Sequence, residues 1–127
     1  MSPSGSQPLT PRQPPSIDAW GGGGFRVSGV WRPGSLLIID DQPLDWGATS
    51  LADLTPEAFA PVYAAGGAVE FVLLGVGLAN ALPPRPVRDA LKAAGLGLEF
   101  MSTEAAARTY NVLASEGRRL AAALIAV

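Results

Sequence analysis

With 127 residues, 48% of them hydrophobic and 16% charged, the chain is long enough for one domain with a real core and too short for two ordinary ones. Nine Lys+Arg against eleven Asp+Glu give a formal charge of −2, so no basic field exists to hold a nucleic-acid backbone through counterion release. Cysteine and histidine are both absent. That excludes disulfides, thiolate nucleophiles, Cys-ligated metals and the commonest general base near neutral pH, leaving carboxylate, lysine or hydroxyl chemistry.

The first sixteen residues, MSPSGSQPLTPRQPPS, hold five prolines and no apolar run. They match neither a secretory signal nor an amphipathic presequence and read as a disordered arm before a single domain over residues 17–127. Apolar runs such as FVLLGVGLANAL are shorter than the roughly 20 residues that span a bilayer and are broken by glycine. The expectation is a soluble, cytoplasmic protein with no transmembrane segment.

Ile17 to Trp20 precede GGGG (Gly21 to Gly24), and Phe25, Val27 and Val30 then roughly alternate before the continuous run Leu36 to Ile39. These are strand signals, with Gly29 and Pro33-Gly34 marking turns. A phosphate-binding loop would need a helix start and Lys-Ser/Thr after the glycines; neither follows, so the tetraglycine reads as a flexible connection. Asp40, Asp41 and Asp45 resemble an acidic metal site only in composition. Adjacent strand residues point to opposite faces, and a solvated turn is the expectation, leading to a short strand that carries Leu44 and Trp46.

In LTPEAFAPVYAAGG, Thr55 suits a helix cap, Pro56 the first helical position and Glu57 the positive end, with Pro61 as a kink and Gly66-Gly67 as the stop. VEFVLLGVG has apolar side chains on both faces after Glu70, the pattern of a central, parallel strand. Its end, GVGLAN (Gly75 to Asn80), begins like a dinucleotide fingerprint, but Asn80 stands at the third glycine and LPP delays the next helix. PRPVRDALKAAG is amphipathic over Pro84 to Gly95. Leu98 to Met101 read as a strand leading to Ser102 or Thr103 as cap of a last helix. Helix and strand alternate from Thr55 onward, which argues for an α/β layer arrangement.

On that last helix Ala106, Tyr110, Leu113 and Ala114 form an apolar face, with Glu104, Arg108, Asn111 and Ser115 opposite and outward. Glu104 and Arg108 have the favourable i,i+4 order of an ion pair. Gly117 suits the left-handed residue that closes a helix, and Glu116 beside Arg118 or Arg119 reads as a local ion pair at the corner.

TYNVLASEGRRLAAALI resembles the closing signature of a small uncharacterised-domain family whose mitochondrial member is complex I assembly factor 3, and whose other animal member is the adipogenesis-associated domain protein. The resemblance runs back through PPRPVRDALKAAGLGLEFMST, VEFVLLGVG, the Trp46 region and GFRVSGVWRPGSLLI, so it covers essentially everything after Ser16. Gly75-Val76-Gly77 departs from the Gly-Thr-Gly that family members often carry, which removes a hydroxyl from that loop. The resemblance implies a three-layer α/β fold: a central mixed β-sheet, helices on both faces and an accessory β-hairpin. It implies no agreed catalytic mechanism, and its mitochondrial member is a non-enzymatic helper in assembling the membrane-bound NADH:ubiquinone oxidoreductase.

The expectation is therefore a non-catalytic interaction or assembly factor with an unidentified protein partner, no nucleic acid and no cofactor. The alternative is a small-molecule-binding protein or enzyme that uses the Gly75 to Asn80 loop with the polar corner. Gly75, Gly77, Arg108, Asn111, Glu116 and Arg118 are the ligand or partner candidates. An enzyme would need such groups to converge on one reacting atom.

Overall fold

Phe25 and Val27 alternate with Arg26 between turn glycines, and the result is a three-stranded antiparallel sheet: β1 (Ile17–Gly21), β2 (Gly24–Val27) and β3 (Val30–Pro33). The structure, a computed structural model, describes residues 12–127; of the expected proline-rich arm, residues 1–11 lie outside the described residues. The tetraglycine is a tight β1–β2 turn rather than a loose connection. Gly22 and Gly23 have φ of +64° and +82°, and a Cβ on Gly24 would lie 2.8 Å from the Trp31 ring and against the Arg32 carbonyl.

The main sheet has five strands in the order β5-β4-β8-β6-β7: β4 (Ser35–Ile39), β5 (Gln42–Trp46), β6 (Phe71–Gly75), β7 (Gly97–Met101) and β8 (Leu120–Leu124). It is mixed. β6 runs parallel to β7 and β8, while β4 is antiparallel to β5 and β8. VEFVLLGVG thus supplies the strand with a parallel neighbour on each side, as its two apolar faces predict.

Three helices pack on this sheet: α1 (Ala60–Ala65), α2 (Arg85–Ala93) and α3 (Thr103–Ser115). Pro61 has no amide to continue an α-helical ladder, so Pro56–Phe59 forms a separate 3-10 turn whose Glu57 carbonyl accepts from Ala60. Thr55, expected to cap it, makes no side-chain cap hydrogen bond. Ser102 does cap α3, its hydroxyl accepting from the Ala105 amide at 3.3 Å.

Alternate residues of β6 feed two cores. Val72 and Leu74 join Leu37, Ala121 and Ala123 under Phe59, Val62, Val87 and Leu91. Phe71 and Leu73 join Leu36, Ile38 and Leu124 under Ala106, Ala107, Tyr110 and Ala114, with Ile17, Phe25 and Val27 from the small sheet. The architecture is the expected three layers around a mixed sheet, with the accessory hairpin enlarged to three strands. Among the described residues no helix is long and apolar enough to cross a membrane.

Candidate functional site

Right-handed connections send α2 and α3 to opposite faces because the β7–β8 crossover returns over β6. The loops leaving β6 and β7 therefore diverge, and in open α/β sheets that crevice is where ligands usually bind. Here it is sewn shut by the chain itself. The Val76 amide donates to the Met101 carbonyl at 2.9 Å, and the Thr103 amide to the Gly77 carbonyl at 2.8 Å. The fully buried Thr103 hydroxyl accepts from the Gly77 amide at 3.0 Å and donates to the Ile125 carbonyl at 2.7 Å. Gly75 is a packing glycine: a Cβ would stand 2.9 Å from a Leu124 methyl and 3.0 Å from the Thr103 Cα. The sequence position of Thr103 predicts only a cap for α3, as the alternative to Ser102.

Gly77, with φ +120° and open space where a side chain would be, does reach a cleft. It is about 320 Å³ and lined by Trp20, Gly21, Gly77, Leu78, Glu104 and Val127. Arg108 lies beside it, its guanidinium carbon 5.4 Å from the Trp20 ring centroid and its Nη1 3.1 Å from a Glu104 carboxylate oxygen. Leu78, on the lining, is 89% exposed, and Leu82, four residues on in the same β6–α2 loop, is 61% exposed. Glu104, the charged side chain of that lining, is paired with Arg108. A larger cavity of about 550 Å³ lies away from these residues, between the 3-10 turn, α1 and α2, and is walled largely by alanines.

Glu116 and Arg118 belong to the other end of α3, about 18 Å away at 1.5 Å per residue, so the loop and the polar corner do not form one site. Asn111, expected to face outward, is turned inward. Its Oδ1 accepts from the Ile17 amide and its Nδ2 donates to the Ile17 carbonyl, both at 2.9 Å. It lies about 40° round the helix from buried Ala107, close enough to the apolar face to substitute for a strand neighbour of β1.

The local Glu116–Arg118 ion pair is not what forms. Arg118 places its guanidinium 5.1 Å over the Phe71 ring, and the ion pair is Arg119 with Glu70 at 2.8 Å, Arg119 also donating to the Gly67 carbonyl. Gly117 closes the helix as its sequence predicts, with φ +79°. Its amide bonds to the Ala114 carbonyl and that of Arg118 to Leu113, the Schellman pattern.

The corner instead recruits Arg12 and Asp41, distant in sequence from it and from each other. Arg12 grips the Asp41 carboxylate through Nη2 at 2.7 Å and Nε at 3.1 Å, and its Nη1 donates to the carbonyls of Gly117 and Arg118 at 3.0 and 3.2 Å. Asp41 was expected in a solvated turn, yet its side chain is only 16% exposed. The neighbouring Tyr110 hydroxyl is buried and has no hydrogen-bond partner among the described residues, and burial, reinforced by Asp41, pushes its pKa well above the usual phenol range.

Four similarities bear on family membership. An uncharacterized protein of Rhodobacter capsulatus is 40% identical over 122 residues, covering 92% of this chain and 93% of that protein. NADH dehydrogenase [ubiquinone] 1 alpha subcomplex assembly factor 3 of Bos taurus is 32% identical over 110 residues, which are 86% of this chain but 59% of that longer protein. A crystal structure described as an outer membrane protein of Bartonella henselae superposes with a TM-score of 0.82 at 36% identity, covering 90% of this chain and 96% of that one. The family model for proteins of unknown function DUF498/DUF598 matches residues 17–125, and the chain belongs to that family.

Proposed function

We propose that this chain is a non-catalytic, protein-binding assembly factor of the cytoplasm, and that its contact surface is the β6–α2 loop, with Leu78 at the Trp20 cleft and Leu82 further along it. One observation carries the reading. At the carboxyl ends of the parallel strands, Thr103 and the backbone of Gly75 to Gly77 are consumed by internal hydrogen bonds, while Leu78 and Leu82 stand exposed in the loop that follows β6. Exposed apolar side chains brought together on one surface are a feature of interaction sites. By family analogy, a weaker warrant, the assembly served is that of NADH:ubiquinone oxidoreductase.

The test is affinity purification from the native host with the wild-type chain and with a Leu78→Asp/Leu82→Asp variant, together with complex I activity in a deletion strain. The expected result is a reproducible partner lost in the variant, whose melting temperature is unchanged because both side chains are exposed. No partner, with normal complex I in the deletion strain, overturns the proposal. Retention of the partner by the variant overturns the assigned surface.

A further inference from the structure

The corner at the carboxyl end of α3 holds a guanidinium group brought from a distant part of the chain. Its acceptors are both oxygens of Asp41 and the carbonyls of Gly117 and Arg118. Each belongs to the folded body. Asp41 sits in the β4–β5 turn with Asp40, both in the left-handed region at φ +64° and +51°, as a two-residue hairpin turn with φ positive at both positions requires. The two carbonyls follow the last turn of α3, where the helix dipole leaves partial negative charge. The acceptor carboxylate is more covered than the donor, with Asp41 16% and Arg12 39% exposed.

The donor belongs to a strap. Ser16 fastens the chain where β1 begins, its carbonyl accepting from the Ser28 amide at 2.8 Å and its amide donating to the Ser28 hydroxyl at 3.2 Å. Between Ser16 and Arg12 stand Pro14 and Pro15, which have no amide to donate. The acceptor set also discriminates. A planar fork takes a carboxylate with two nitrogens and leaves a third to span two carbonyls, whereas an ammonium is a point charge that cannot match all four acceptors at once.

We propose that this corner is a guanidinium-binding site, which Arg12 fills from within the chain and which an arginine on an extended segment of another polypeptide fills in exchange. The proposal goes beyond the assembly reading and uses a surface at the opposite end of α3, so either stands if the other fails.

The experiment vacates the site with Arg12→Ala and follows the backbone amide resonances of Asp41, Gly117 and Arg118 while Nα-acetyl-arginine amide is added. Saturable shifts are expected, with an apparent affinity about tenfold or more above wild type, because an internal occupant that holds a site some 90% of the time lowers apparent affinity by that factor. Nα-acetyl-lysine amide binds more weakly, and adding Asp41→Asn to Arg12→Ala abolishes arginine binding. Equal affinity in wild type and Arg12→Ala, equal response to arginine and lysine, or indifference to Asp41→Asn overturns the proposal. Should Arg12→Ala be too unstable for titration, its melting temperature is read instead. Methylguanidinium chloride raises it above a methylammonium chloride control at the same ionic strength, and an equal effect of the two salts counts as refutation.

Discussion

Tyr110 is 2% exposed, and its hydroxyl has no partner among the described residues. A buried, unsatisfied hydroxyl costs about 1–3 kcal/mol, so Tyr110→Phe should leave stability at pH 7 unchanged or raise it by about 1 kcal/mol. The same burial raises the phenol's pKa, which fixes the sign of a pH effect. Stability from the neutral phenol is fully present below the unfolded value of about 10 and is lost as pH rises through the folded value, because the unfolded chain ionises first. Tyr110→Phe should therefore flatten the alkaline limb. Urea unfolding at pH 7 and at about pH 10.5 checks both statements; a remaining slope belongs to Tyr63, whose pKa burial also raises. A loss of more than about 2 kcal/mol at pH 7 would mean that the hydroxyl does have a partner.

At the scale of elements, α3 organises the face on which it lies. Ser102 caps it, Thr103 ties its start to Gly77 and Ile125, Ala106, Ala107 and Ala114 bring it close to the sheet, and Asn111 grips β1. The helical position of Asn111 predicts an outward side chain, yet it bonds both the amide and the carbonyl of Ile17. Asn111→Leu leaves the Ile17 amide and carbonyl without those bonds, at a cost of about 1–3 kcal/mol. Local opening should show it first: hydrogen exchange at the Ile17 amide accelerates, while amides of β6 keep their protection relative to global stability. Uniform acceleration across both strands would show that β1 does not open separately.

For the whole molecule, the two cores share β6, β8 and β4 as a common wall. Neither can lose its helices without exposing that sheet on one face, and a domain of this size ordinarily unfolds in one step. We expect coincident thermal transitions by far-ultraviolet circular dichroism and by fluorescence of Trp20 and Trp46, which lie with the two different cores. Separated midpoints would show independent units on either side of the sheet.

The amino-acid sequence by itself determined the periodic elements. Apolar residues on both faces of VEFVLLGVG required a covered central strand, Gly95 and Gly117 ended helices, and Glu104 with Arg108 formed the pair that their spacing allows. These follow from backbone geometry within a few residues. Only the tertiary structure decided where the polar groups went. Thr103 closes the crevice against Ile125, 22 residues away, Asn111 meets Ile17 across 94, and Arg12 meets Asp41 across 29 and Gly117 across 105. A hydrogen bond is satisfied by whatever the fold brings within about 3 Å, and one strand or helix does not encode that distance. Arg108, Asn111, Glu116 and Arg118 were therefore legible as polar and near the end of the chain, while their partners, and the division into a cleft at one end of α3 and a guanidinium corner at the other, came from the packing of the sheet against that helix.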